Sequence, residues 1–167
     1  MELTGTTKQP ARGIIRDVFG WLISTPGQTF ALCPFAVIVF ELALRDRLHF
    51  IPWGCLLLVW GYLQYLVIGQ YRWPRAGGGW GMEIPPDRII TTGPYRYTRN
   101  PMYLGHLLFM LGLAFTFWSW FALVLLVARA VWLHHRTLRD ERQLSVRFGK
   151  AYAAYQLQVK RWVPGLF

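Results

Sequence analysis

Charged side chains are scarce in this chain. Lys and Arg number 18 and Asp and Glu 8 among 167 residues, 16% in all. A soluble domain carries roughly 25%, so much of this chain has no ordinary water-facing surface. Acidic residues are the rarer sign, which leaves a formal charge of +10. Cysteines number 2, Cys33 and Cys55, both inside apolar runs. That excludes a disulfide framework and a cysteine-ligated zinc site, and both read as small buried apolar residues. No strand-like run precedes the glycine cluster Gly77-Gly78-Gly79-Trp80-Gly81, so a dinucleotide-binding βαβ unit is not supported. Apolar and aromatic residues are abundant: 54% of the chain is hydrophobic, with Trp 9, Tyr 8 and Phe 11. Such a composition excludes disorder and argues against a nucleic-acid binder despite the basic charge.

Three stretches carry no Asp, Glu, Lys or Arg: Val18 to Phe40, Leu48 to Tyr71, and Asn100 to Ala128. Each can hold a membrane helix of about 20 residues. A protein of this length has no core large enough to hide three of them. The expectation is an all-α, polytopic membrane helical bundle, a single domain over 1–167. About four transmembrane helices are expected, at 30–44, 50–70, 101–117 and 120–135, with a cytoplasmic helical region at 136–163. Pro26, Gly27 and Pro34 interrupt the first stretch, so 13–24 is expected as an amphipathic helix on the membrane surface, with Trp21 at the interface. The stretch from Pro101 to His135 would be roughly 52 Å long as one helix, against a hydrocarbon core of about 30 Å. A helical hairpin turning at Thr116-Phe117-Trp118-Ser119-Trp120 resolves the mismatch.

Charge placement agrees with four spans. With a cytoplasmic N-terminus, only Arg45 and Arg47 lie outside and Arg129 falls within the last span. Every other Lys and Arg lies inside, as the positive-inside rule requires. The expected location is a bacterial cell inner membrane, multi-pass, with both termini cytoplasmic. Three polar residues fall inside spans. Glu41 is expected as an interface carboxylate reaching the headgroups. Arg129 either snorkels inward or faces a polar cavity. His106 is expected as a core histidine bonded to another helix.

The polar sequence gathers on one side. Asn100 followed by Pro101 makes an N-cap and first-turn pair, and free N–H groups at that helix start would suit an anion. Gly105 leaves a gap that a neighbouring helix or a flat ligand could fill. Glu141, Leu144, Phe148, Tyr152 and Tyr155 share one helical face, an acidic residue on an aromatic stripe. Gly149 is a point where that helix could bend.

Two blocks resemble the membrane methyltransferase superfamily, which includes isoprenylcysteine carboxyl methyltransferases, phospholipid N-methyltransferases and bacterial thiol methyltransferases. The first is Gly93-Pro94-Tyr95-Arg96-Tyr97 followed by Arg99-Asn100-Pro101-Met102-Tyr103-Leu104-Gly105. The second is Arg139-Asp140-Glu141-Arg142-Gln143-Leu144, then Phe148-Gly149-Lys150-Ala151-Tyr152, Tyr155, Val159, Arg161 and Pro164. The resemblance covers about Gly77 to Pro164. It implies a bundle that holds S-adenosylmethionine at its cytoplasmic face. It places Tyr95, Arg99, Asn100, Pro101, Tyr103, Leu104, Gly105, Asp140 and Glu141 against that cofactor, and Glu141 and Arg161 in the chemistry. Arg161 would orient a carboxylate acceptor. Asn100 stands where the family has His, and Asp140 where it has the first of two Glu. The implied methyl acceptor is a membrane lipid or a lipidated or small apolar molecule, with no nucleic acid and no metal involved. Two further readings are a membrane lipid double-bond reductase, since some sterol reductases resemble this superfamily, and a non-catalytic membrane partner that retains the fold.

Overall fold

A computed structural model describes residues 14–46, 48–77 and 86–162. Most of the glycine cluster, Pro85, Arg47 and Pro164 lie outside the described residues. Within them the chain is helical and has no strand. The helices are α1 (Ile14–Ile23), α2 (Thr25–Gly27), α3 (Cys33–Arg45), α4 (Gly54–Ala76), α5 (Pro101–Phe117), α6 (Trp120–Phe148) and α7 (Lys150–Gln158). A π-helical turn, Gln28–Leu32, joins α2 to α3, so a single rod of 21 residues runs over Thr25–Arg45.

Two helices are long and apolar enough to cross a membrane, Thr25–Arg45 and Trp120–Phe148, and Pro101–Phe117 is a shorter apolar helix. The first rod begins at Thr25, ahead of the expected Phe30, because Ser24 caps it and Pro26 sits in its first turn, where a missing N–H costs nothing. The second helix runs on past Gln70 to Ala76 with Pro74 inside it. Trp118, in the left-handed conformation, and Ser119, the N-cap of α6, make the hairpin turn. The helix after that turn does not end near His135. It continues to Phe148, and Gly149 at φ 52° divides it from α7. The expected aromatic stripe is therefore split between two helices. It still closes into one cluster, because α7 folds back and packs Tyr152, Tyr155 and Val159 against Leu144, Phe148 and Ile89.

The tightest pairing is α4 against α5, in antiparallel register. Gly54 meets Thr116, Gly112 meets Leu58, and Gly61 meets Gly105 and Phe109. Positions 54, 58, 61 and 65 of α4 and 105, 109, 112 and 116 of α5 follow a spacing of four, three and four, and the glycines among them let the backbones approach. A Cβ on Gly61 would lie 2.4 Å from the Phe109 nitrogen and 2.6 Å from the Gly105 oxygen.

Each polar residue inside the rods has a distinct setting. Glu41 is 0% exposed, which corrects its expected place among the headgroups. It accepts from Ser119 Oγ at 2.6 Å and from Arg45 at 3.2 Å, and Arg45 also donates to the Trp118 carbonyl at 3.3 Å. The carboxylate thus fastens the far-end turn to α3. Arg129 donates to Thr29 Oγ1, Gln28 Oε1 and the Thr25 carbonyl at 3.2, 2.8 and 2.8 Å. It tethers α6 to α2 and the π turn that follows it. His106 is fully buried and stacks on Phe30 at 4.7 Å. Neither of its nitrogens has a hydrogen-bond partner, so the expected bond to another helix is absent.

Replacing Gly61 with leucine must force α4 and α5 apart. Overpacking costs about 1–3 kcal/mol or more, so Gly61→Leu should melt several degrees below the parent in detergent. Gly20→Ala, where a Cβ meets nothing within 4 Å, should melt with it. Equal melting of parent and Gly61→Leu would show that the seam is looser than described.

Candidate functional site

A cleft opens where the start of α5, the second half of α6 and the segment before α5 meet. Its walls include Arg72, Tyr95, Arg99, Tyr103, Arg136 and Asp140. The local sequence explains the shape. Thr92 leads into a short 3₁₀ turn, Gly93–Arg96, and Gly93 at φ 60° lets the chain pass within van der Waals contact of the Tyr71 ring. Pro101 then starts α5.

The segment from Thr98 to Asn100 is held by the chain's last described residues. Arg99 N donates to the Lys160 carbonyl at 3.0 Å. Thr98 Oγ1 and Asn100 Nδ2 both donate to the Arg161 carbonyl, at 3.1 and 3.2 Å. Tyr155 hydroxyl donates to the Tyr95 carbonyl at 2.6 Å. Because its side chain is committed there, Asn100 makes no capping bond to the first amides of α5. The first residues of α5, Pro101, Met102 and Tyr103, lie at the cleft wall, and a helix start favours negative charge.

Glu141 anchors this arrangement. Its side chain is 7% exposed and lies between two guanidinium groups. Arg161 grips it through Nε and Nη2, at 3.1 Å to Oε1 and 2.9 Å to Oε2, and Arg99 Nη1 is 3.4 Å from Oε1. The carboxylate in turn holds the Arg161 side chain above its ordinary pKa through the hydrogen bond. The two residues assigned to the chemistry from sequence, Glu141 and Arg161, are therefore paired with each other. Neither lines the cleft.

A second cluster does line it. Tyr103 hydroxyl donates to Asp140 Oδ2 at 2.6 Å and accepts from Arg136 Nε at 3.1 Å. Burial pushes the Asp140 pKa above the usual carboxylate value, against the lowering effects of the Tyr103 hydrogen bond and of Arg136, Arg139 and Arg72. Burial likewise pushes the Tyr95 and Tyr152 phenols up to about 12 and raises Tyr155. These hydroxyls stay neutral at physiological pH.

The structure thus brings Tyr95, Arg99, Asn100, Pro101, Tyr103 and Asp140 to one cleft. Leu104 and Gly105 are not part of it. Gly105 faces α4, where a Cβ would lie 2.8 Å from the Gly61 oxygen, so a neighbouring helix fills the gap it leaves. Sequence reasoning missed Arg72, Arg136, Gln143 and Arg147 as wall residues. Three of them had a signal. Arg136, Asp140, Gln143 and Arg147 recur at four, three and four residues and so share one helix face. That face is adjacent to the one carrying Glu141.

Removing the charge of Glu141 should release the clamp. Stripping one partner from a buried pair costs about 3–5 kcal/mol. Arg161 is 29% exposed, so the lower end is expected, about 3 kcal/mol. Glu141→Gln should lower the melting temperature in detergent and speed tryptic cleavage around Lys150 and Lys160. Asp87→Asn breaks the exposed pair with Arg147 (48% and 55% exposed) and should change stability by about 1 kcal/mol or less. Equal effects of the two substitutions would overturn the clamp.

No curated protein and no solved structure matches the chain. A family model described as phospholipid methyltransferase matches residues 53–151. The match takes in α4, the segment before α5, the hairpin and all of α6, and so carries Arg99, Asn100, Asp140 and Glu141 together. Since it spans more than half of the sequence, the chain belongs to the phospholipid methyltransferase family.

Proposed function

We propose that the protein is an S-adenosylmethionine-dependent methyltransferase. It acts at the cytoplasmic face of a bacterial inner membrane on a lipid-borne or small apolar acceptor, such as an isoprenylcysteine carboxylate, a phospholipid amine or a thiol. Family membership supports the reaction class. The four-span topology belongs to the same proposal: the arginine-rich ends of α4 and α6 share one end of the bundle, and the Glu41–Arg45 pair and the α5–α6 turn lie at the other. Such a site admits a soluble methyl donor from water and a lipid acceptor sideways from the bilayer.

The observation that carries the reading is Arg99. Its side chain is 10% exposed, it lies on the cleft wall, and its Nε is buried with no hydrogen-bond partner. A buried donor without a partner costs about 1–3 kcal/mol, a cost that an anionic ligand would remove. Arg99 stands beside the uncapped start of α5, so guanidinium and helix terminus favour the same charge. Both fit the carboxylate of the methionyl part of the donor. Tyr95, Asn100, Pro101 and Tyr103 would frame the remainder. When bound, S-adenosylmethionine supplies an electrophilic methyl group on a sulfonium. Glu141 and Arg161 are assigned here to positioning: they fix the Arg99 side chain and the segment that bears it.

Binding of S-adenosylmethionine and of S-adenosylhomocysteine to detergent-solubilised protein, followed by calorimetry, tests this. Saturable binding of both is expected, and Arg99→Gln should weaken it about 10- to 100-fold, the loss of one charge-assisted hydrogen bond. Saturable binding of NADPH alone would instead favour the lipid reductase. Binding of none of the three would favour a non-catalytic membrane partner.

A further inference from the structure

We propose that the end of the bundle opposite the cleft carries a second site. It binds a phospholipid of the leaflet at that end, through the lipid's phosphate and one acyl chain. The site shares no wall residue with the cleft. The inference rests on the four-span arrangement and not on methyl transfer.

A groove of about 300 Å³ lies at the turn between α5 and α6. Its walls are mostly apolar. Phe115, Trp118, Trp120 and Leu123 line it, and Arg45 is the one charged residue on it among the described residues. Phe115 and Leu123 stand about one helical turn from Trp118 and Ser119, roughly 5 Å further into the bundle.

Arg45 is held ready for an anion. Its Nη1 donates to Glu41 Oε2 at 3.2 Å and to the Trp118 carbonyl at 3.3 Å. Glu41 is fully buried and also accepts from Ser119 Oγ, so the guanidinium is anchored from the protein side. Both of its bonds use one nitrogen. Nε and Nη2 have no hydrogen-bond partner among the described residues. These two nitrogens form one edge of the guanidinium fork, an edge that can grip two phosphate oxygens side by side. The side chain is 38% exposed and stands on the groove wall. A guanidinium fixed before its ligand arrives loses little freedom on binding.

Trp118 supports the same assignment. It occupies the left-handed region at φ 47°, where glycine is the usual helix ending and a bulky residue is strained. Its ring is 62% exposed and stacks on no described aromatic ring. Packing inside the protein therefore does not account for a tryptophan there. Indole rings favour the level of lipid headgroups, and Trp118 and Trp120 place the mouth of the groove at that level. An inorganic anion would use Arg45 and leave the apolar walls wet. A neutral apolar molecule would cover the walls and leave the fork without a partner. A phospholipid satisfies both, with its phosphate on Arg45 and an acyl chain along Phe115 and Leu123. Such a lipid would brace the turn against α3.

Delipidated protein in a non-ionic detergent is titrated with dioleoylphosphatidylglycerol, with dioleoylglycerol and with inorganic phosphate. Bound lipid is counted by native mass spectrometry, and melting is followed in parallel. The phosphatidylglycerol should stay bound and raise the melting temperature, and the other two should do neither. Leu123→Trp fills the groove and leaves the Glu41–Arg45 pair intact. It and Arg45→Gln, which removes a charge-assisted contact, should each weaken retention about 10-fold. Arg99→Gln, at the cleft, should retain the lipid as the parent does. No retention by the parent, or parental retention in either groove variant, would overturn the proposal. So would equal retention of dioleoylglycerol, stabilisation by phosphate alone, or loss of the lipid in Arg99→Gln, which would place it at the cleft. Leu123→Trp should bind S-adenosylhomocysteine as the parent does, so this site and the methyltransferase reading fail separately.

Discussion

One buried carboxylate determines how the cleft end of this protein is assembled. Glu141 sits on α6, and its charge is matched by Arg161 from the end of the described chain and by Arg99 from the segment ahead of α5. A buried charge is stable only when it is paired and hydrogen-bonded. Satisfying Glu141 therefore brings three distant stretches of sequence to one place. Once Arg161 is drawn in, its backbone carbonyl is available to Thr98 and Asn100, and the Lys160 carbonyl to the Arg99 amide. The ion pair and the backbone bonds support each other. Their joint product is a segment with Arg99 fixed at the cleft and the α5 start left uncapped.

The opposite end repeats this logic on a smaller scale. Glu41 is buried and satisfied by Arg45 one turn along its own helix and by Ser119 from the hairpin turn. Between the two ends, α4 and α5 lie close enough that glycines occupy the contact points, and Arg129 ties α6 to the π turn. In an apolar surrounding, water exclusion no longer drives helices together. Close backbone packing and polar bonds must supply the association. Both are present, and they fall at different heights: glycine contacts along the α4–α5 seam, the arginine tether between α6 and the first rod, and a carboxylate at each end.

The sequence made the helical class and the hairpin legible, because long uncharged runs and a Trp-Ser-Trp turn are local signals. The pairing of the two motif blocks was visible only through resemblance. What local pattern could not show was partner choice. Glu141 read as a residue facing a ligand, because a lone acid on an aromatic stripe gives no sign that an arginine 20 positions away will take both its oxygens. Glu41 read as an interface residue because Ser119, its partner, is 78 positions distant. Gly105 drew attention, whereas Gly54, Gly61 and Gly112 did not, since the seam appears only when two helices are laid side by side. The face of α6 carrying Arg136, Asp140 and Arg147 was periodic enough to find. It was masked by its neighbour, whose aromatic residues gave the louder signal.

The basic character of the cleft follows from these constraints and bears on the chemistry. Methyl transfer from a sulfonium to a neutral nucleophile moves positive charge from donor to acceptor. A uniformly positive wall would oppose both ends of that path and give no net direction. The wall here is not uniform. Arg99 has part of its charge met by Glu141, Arg147 has its charge met by Asp87, and Asp140 lies among the remaining guanidinium groups, bonded to Tyr103. Negative charge at Asp140 and positive charge at Arg99 give the cleft a polarity instead of a single sign. This polarity stands at the end of the bundle, where apolar rods meet arginine-rich helix ends. The demand that buried charges be paired thus also sets the uneven charge of the cleft.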